Sequence, residues 1–153
     1  GRTLYTGDHN RGCEFGHMAL IPHGKKCYCG SYGCLDAYCI ANALTDFTDG
    51  NLKEFFDILK AGNNKGIQNV FEDYTDYLAI AVNNLRMCFD CDVILGGNVG
   101  AYMSDYIDDF RKKAVKLNPF EKDGSYIRVC HYRTEAAAVG AAIYYIDQFI
   151  QNF

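Results

Sequence analysis

Between residues 67 and 89 apolar side chains recur at Ile67, Val70, Phe71, Tyr74, Leu78, Ala81, Val82, Leu85, Cys88 and Phe89, with mostly polar residues between them. Steps of three, four and seven follow one face of a 3.6-residue period, so the pattern predicts a long amphipathic helix. At 1.5 Å per residue it is roughly 35 Å long and able to cross a whole lobe. The pattern then changes. Asp92-Val93-Ile94-Leu95 runs into Gly96-Gly97, which predicts a short buried strand with a tight turn after it. A helix is expected over Tyr102–Leu117, with Asp108/Lys112 and Asp109/Lys113 at i,i+4 and a stop at Asn118-Pro119. Tyr126–Cys130 reads as a second strand, and Thr134 as the cap of a last helix over Glu135–Gln151. Upstream, helices are expected over Leu35–Phe47 and Leu52–Lys60, the latter ended by Gly62-Asn63. The glycine-rich stretch from Gly1 to Gly33, with its apolar run Met18–Ile21, reads as a short strand or hairpin plus a loop.

Strand–helix–strand–helix order in the second half implies an α/β arrangement with parallel strands and right-handed crossovers. Two or three core strands are thin for an independent α/β domain, so the expectation is a fragment whose remaining sheet lies upstream. The length of 153 residues suits one domain or one lobe. Hydrophobic residues at 49% and charged residues at 22% exclude a disordered chain. No apolar run reaches the roughly 18–20 residues needed to span a bilayer, and Gly1–Asn10 has no signal-peptide pattern. With a net charge of −4 and a pI near 5.5, the chain is a poor binder of phosphate backbones, so neither DNA nor RNA is an expected partner of this piece itself.

Eight cysteines change the picture. Cys27, Cys29 and Cys34 crowd together, whereas Cys13, Cys39, Cys88, Cys91 and Cys130 scatter, mostly through apolar segments. This points to a metal knuckle plus reduced, mostly buried thiols, and hence to a reducing cytoplasm. Three thiolates and the imidazole of His17 make a closed tetrahedral Zn²⁺ set, with no open position for an activated water, so the metal is expected to be structural. Gly30 and Gly33 suit the tight loop such a set needs. His23, four residues before Cys27, competes for the fourth position. Cys88-x-x-Cys91 could be a redox pair or a second metal site, but reads better as buried thiols. His9, His23 and His131 are expected at the surface, and Arg111-Lys112-Lys113 with Lys116 on a solvated helix face. Ala136–Ala142 around Gly140 reads as a close helix-packing surface.

The order Glu14-Phe15-Gly16-His17, then Cys27-Tyr28-Cys29-Gly30-Ser31-Tyr32-Gly33-Cys34-Leu35-Asp36, then the strand ending Gly96-Gly97 and a small-residue final helix, resembles the ROK family over nearly the whole chain. That group comprises bacterial sugar-responsive repressors, uncharacterised open reading frames and sugar kinases. The resemblance implies an actin-like ATPase (ribonuclease H-like) α/β lobe with a zinc-binding loop at about 14–36 and its N-terminal half missing. It implies His17, Cys27, Cys29 and Cys34 as zinc ligands, with His17 also beside the sugar. Glu14 and Asp36 would accept hydrogen bonds from sugar hydroxyls, a role that suits ionised carboxylates. Two positions depart from the family pattern: Asp36 stands where Glu is usual, and Cys13 where Gly is usual before Glu14.

In kinase members the turn matching Gly96-Gly97 lines the ATP cleft; a plain strand-to-helix turn is the other reading of these glycines. The family's phosphate-binding Asp-x-Gly segment and catalytic Asn-Asp pair lie before the region matching Gly1, so this polypeptide alone is not expected to be a kinase. The resemblance therefore implies one of two roles for the 1–153 lobe. The first, and the one favoured by the departures at Asp36 and Cys13, is the sugar-sensing domain of a transcriptional regulator like the xylose and N-acetylglucosamine repressors, with DNA held by an absent N-terminal winged helix. The second is the sugar- and ATP-binding C-terminal lobe of a hexose or N-acylhexosamine kinase, with ATP and Mg²⁺ as its cofactors. A monosaccharide ligand and a homo-oligomer are expected in either case.

Overall fold

The computed structural model describes residues 5, 7–9 and 11–151. The domain limits at 1 and 153, and part of the segment expected to form a hairpin, lie outside the described residues. Among the described residues two strands and seven α-helices follow in chain order: α1 (Asp36–Cys39), α2 (Asn42–Thr45), α3 (Leu52–Ala61), α4 (Lys65–Phe89), β1 (Val93–Leu95), α5 (Gly97–Gly100), α6 (Ile107–Leu117), β2 (Ile127–Val129) and α7 (Ala136–Gln151).

The amphipathic repeat becomes α4, the spine of the lobe. The Asn64 side chain accepts from the Ile67 N–H at 3.1 Å and so satisfies one of the donors left open at the helix start. Ile67, Phe71, Tyr74, Ala81 and Val82 are buried as the period requires. Leu44, Phe55, Met103, Phe110 and Ile127 close the core around them. The last turn of α4 runs past that core. Cys88 and Phe89 are exposed there, and the Phe89 ring meets Phe15 edge-on at 5.4 Å between centroids. Cys91 is exposed too, so the expectation of buried thiols at Cys88 and Cys91 fails.

Tertiary ties override local pattern at three places. The helix expected over Leu35–Phe47 breaks at Ile40, whose backbone is extended. The Cys39 carbonyl accepts from the Tyr74 hydroxyl at 3.0 Å instead of continuing the helix. The helix expected from Tyr102 begins only at Ile107, after a 3₁₀ turn at Met103–Asp105 that sinks Met103 into the core. On α6 the Asp108/Lys112 and Asp109/Lys113 pairs do not form. Asp108 pairs with Arg111 and Asp109 with Lys112 at i,i+3. Lys113 turns to α4, reaching Glu72 at 2.8 Å, Asp76 at 2.7 Å and the Thr75 hydroxyl at 2.8 Å. Arg111 donates to the Ile127 carbonyl at 2.8 Å. Arg111 and Lys113, expected on a solvated face, therefore fasten α6 to β2 and α4, where a carbonyl and two carboxylates lie within their reach.

β1 and β2 pair in parallel, Val93 opposite Ile127 and Leu95 opposite Val129, as the strand order implied. Leu95 and Ile127 face the core, but Ile94 is 63% exposed, so β1 is covered on one face only. α7 departs most from expectation. It follows a 3₁₀ turn at Arg133–Glu135 that takes in Thr134, and it exposes Ile143, Tyr144, Tyr145, Ile146, Phe149 and Ile150. A Cβ at Gly140 would meet nothing within 4 Å, so the close packing expected around Gly140 is not seen there, while Ala136 lies against Gly96 at the start of the helix. A helix apolar on every side is built to be covered. No helix of the described residues is long and apolar enough to cross a membrane.

Candidate functional site

The loop before α1 is built on backbone hydrogen bonds rather than strands. The hairpin expected in this region reduces to single antiparallel bridges, Ala19 with Cys34 and Lys26 with Tyr32. Between them Gly30 donates to the Cys27 carbonyl at 3.0 Å, and Cys27 donates to the Ser31 carbonyl at 2.8 Å. Gly33 is the keystone. Its N–H donates to Lys25 at 2.8 Å, and its carbonyl accepts from Leu20 at 2.7 Å and Ile21 at 3.1 Å. Gly30 and Gly33 both have positive φ, +92° and +78°. They differ in space: a Cβ at Gly30 would point into the open, but at Gly33 it would lie 1.8 Å from the Ile21 carbonyl oxygen.

This scaffold brings four side chains together. The ligand atoms of His17, Cys27, Cys29 and Cys34 all lie within 4.8 Å of one another, the one such group among the described residues. Cys29 Sγ and Cys34 Sγ are 3.7 Å apart, and His17 Nδ1 and Cys27 Sγ 3.8 Å. Tetrahedral coordination with metal–sulfur bonds of about 2.3 Å sets its sulfurs about 3.8 Å apart, so these residues fit an ion with little movement. The two closest thiols are pushed in opposite directions. A backbone hydrogen bond from Ser31, aided by Cys27, lowers Cys29 to about 7, while burial raises Cys34 to about 11. His17, not the competitor His23, joins the group. His23, His9 and His131 are exposed, as expected.

Asp36 opens α1 two residues after Cys34, half-buried. Its carboxylate lies against Gly16, where a Cβ would come within 2.6 Å of Oδ2. The Tyr28 hydroxyl donates to Asp36 Oδ2 at 2.8 Å and stands 3.4 Å from His17 Nε2. That hydrogen bond raises the Tyr28 phenol to about 12. Glu14 is exposed, and its carbonyl accepts from the His17 N–H at 3.0 Å to close the 3₁₀ turn Phe15–His17. Cys13, just before it, holds φ +68°, the region glycine favours. A non-glycine residue therefore holds a backbone conformation that glycine takes without strain. The sequence alone assigns Tyr28 no chemistry. Its one signal is a hydroxyl-bearing side chain directly between two ligands.

Gly96 follows β1 as the cap of α5, and Gly97 is the first residue of that short helix. Gly97 has φ +71°, and a Cβ there would meet nothing within 4 Å. A Cβ at Gly96 would instead lie 3.4 Å from that of Cys130 and 3.7 Å from that of Ala136, so the open position of this turn is Gly97.

The model of the ROK family matches residues 1–148. N-acetylmannosamine kinase of Escherichia fergusonii is 27% identical over 155 residues, covering 94% of this chain and 50% of that protein. The enzyme of the same name from Escherichia coli O157:H7 is 28% identical over 156 residues, with the same coverage. The crystal structure of a ROK hexokinase from Thermus thermophilus superimposes with a TM-score of 0.67 at 26% identity, over 90% of this chain and 50% of that one. A ROK family glucokinase from Streptomyces griseus, solved with glucose and AMPPNP, gives the same TM-score at 20% identity, over 84% of this chain and 49% of that one, and shares the fold. The chain spans about half the length of the relatives it matches. Matched along almost all of its length and folded as the actin-like α/β lobe of those kinases, this chain belongs to the ROK family.

Proposed function

We propose that this chain is the carbohydrate-binding lobe of a ROK sugar kinase, stapled by one structural Zn²⁺. The observation that carries the reading is the convergence of four ligand atoms within 4.8 Å beside the carboxylate of Asp36. His17, Cys27, Cys29 and Cys34 would hold the ion. With all four positions taken by protein, the ion supplies a cross-link in place of an activated water. The loop from Glu14 to Asp36 is then ordered before the sugar arrives, which spares the ordering cost at binding. Glu14 and Asp36 accept from sugar hydroxyls through charge-assisted hydrogen bonds, with His17 beside them. The open turn at Gly96-Gly97 faces the nucleotide, ATP with Mg²⁺. The apolar sides of α7 and of β1 at Ile94 are surfaces for the rest of a protein about twice this length, or for a second copy. The named relatives, N-acetylmannosamine kinases, favour a kinase as the parent.

A second reading keeps the sugar site but makes the lobe the sensor of a ROK transcriptional regulator, cytoplasmic and DNA-bound through another domain. The shortened acid Asp36, Cys13 at the glycine position and the net charge of −4 favour it. Sugar would then act by shifting the balance between lobe arrangements. Calorimetric titration of the zinc-loaded chain with N-acetylmannosamine, N-acetylglucosamine and glucose tests what both share. We expect saturable binding to at least one sugar, weakened at least tenfold by Glu14→Gln. No heat with any sugar contradicts the carbohydrate site. In a protein carrying both lobes, phosphate transfer from ATP to sugar supports the kinase, and sugar-dependent release of DNA the regulator.

A further inference from the structure

The cluster holds one contact that neither the metal nor the sugar reading uses. Tyr28 is 73% exposed, so packing does not explain its pose. What holds it are two polar contacts at its hydroxyl and an edge-on ring contact with His17 at 5.2 Å between centroids. The two His17 nitrogens face different partners. Nδ1 points at the sulfurs, 3.8 Å from Cys27 Sγ, and Nε2 points at the Tyr28 oxygen, 3.4 Å away. An imidazole that gives Nδ1 to a metal carries its proton on Nε2 and must donate it outward. A phenol accepts and donates at once. Tyr28 therefore takes the Nε2–H and passes its own proton to Asp36 Oδ2 at 2.8 Å. Gly16 confines the carboxylate from the other side.

We propose that Tyr28 is a positioning residue of the metal centre, through which Asp36 fixes the ring orientation and tautomer of His17. The inference rests on the zinc reading above. It makes Asp36 the outer anchor of a metal ligand as well as a candidate sugar contact. Metal-bound histidines commonly donate their second N–H to a carboxylate, and loss of such a partner typically costs about 10–100-fold in metal affinity. Here a phenol is inserted between ring and acid.

The test is zinc affinity of the whole chain, measured by competition with a chromophoric chelator. Tyr28→Phe keeps the ring and removes only the hydroxyl, and we expect about tenfold weaker zinc binding. Asp36→Asn should weaken it similarly, and Y28F/D36N should be no weaker than the worse single variant, because the residues act in series. Nitrogen-15 spectra of zinc-loaded protein should show a slowly exchanging His17 Nε2–H that Y28F loses. Unchanged zinc affinity in Y28F, or fully additive losses in the double variant, overturns the inference and leaves the metal centre standing. A wild-type chain that takes up no zinc overturns the metal reading and the inference with it.

Discussion

Gly33 and Gly30 share a left-handed backbone but not a neighbourhood, and this difference yields a sharp prediction. In Gly33→Ala the new Cβ would stand 1.8 Å from the Ile21 carbonyl oxygen. Relaxed carbon–oxygen contacts lie at about 3.3 Å, so one strand of the loop must move by about 1.5 Å. The move loosens three backbone hydrogen bonds, from Gly33 to Lys25 and from Leu20 and Ile21 to Gly33. At about 1 kcal/mol each they sum to about 3 kcal/mol. Holding alanine at φ +78° adds about 1–2 kcal/mol. The expected loss is about 4–5 kcal/mol, a large share of the 5–15 kcal/mol typical of a native domain. Gly30→Ala meets open space and carries only the backbone cost of about 1–2 kcal/mol, while the freedom lost by the unfolded chain is the same in both variants and cancels from their difference. Denaturant unfolding of the two zinc-loaded variants should place them at least about 3 kcal/mol apart. Equal stabilities, within 1 kcal/mol, would refute the claim that contact at Ile21 shapes the loop.

Three more outcomes follow from the same geometry. Replacing Cys13 by glycine relieves φ +68° and should leave stability unchanged or raise Tm by about 2–4 °C; a fall in Tm contradicts the strain assigned there. Phe110→Ala, at a 1% exposed site between α6 and α4, should cost about 3–5 kcal/mol in a denaturant melt. Zinc affinity should rise with pH, since zinc takes thiolates and Cys34 keeps its proton to about 11. Displacing that one proton gives at least about tenfold per unit between pH 7 and 9, and below pH 7 Cys29, which ionises near 7, steepens the slope; a flat profile over pH 6–9 contradicts the ligand set.

Much of the site is legible in the sequence because its constraints are local. The spacing of Cys27, Cys29 and Cys34, the two turn glycines and the nearby His17 all act within about twenty residues of chain. The faces of α3 and α4 are equally local, set by side-chain period and by the capping residues Asn51 and Asn64. What escaped is non-local. The break at Ile40 depends on Cys39 meeting Tyr74, 35 residues on. Lys113 chose Glu72 and Asp76 on another helix over Asp109 on its own, since a half-buried ammonium gains more from two carboxylates than from one. The α7 pattern reads as a packed helix, and its apolar side chains are what that pattern says, but Ile143, Tyr145, Ile146 and Ile150 stay exposed. Tyr28 escaped because the motif assigns its position no chemistry; only the folded loop sets its hydroxyl between His17 and Asp36.

The central claim is that one metal ion organises the loop from Glu14 to Asp36. Elemental analysis of the purified chain, joined to X-ray absorption at the zinc edge, tests it most directly. We expect about one zinc per chain, bound by three sulfurs at about 2.3 Å and one nitrogen at about 2.0 Å, and lost together with folded structure in Cys34→Ser. A folded, metal-free chain, or zinc ringed by oxygen, would contradict it.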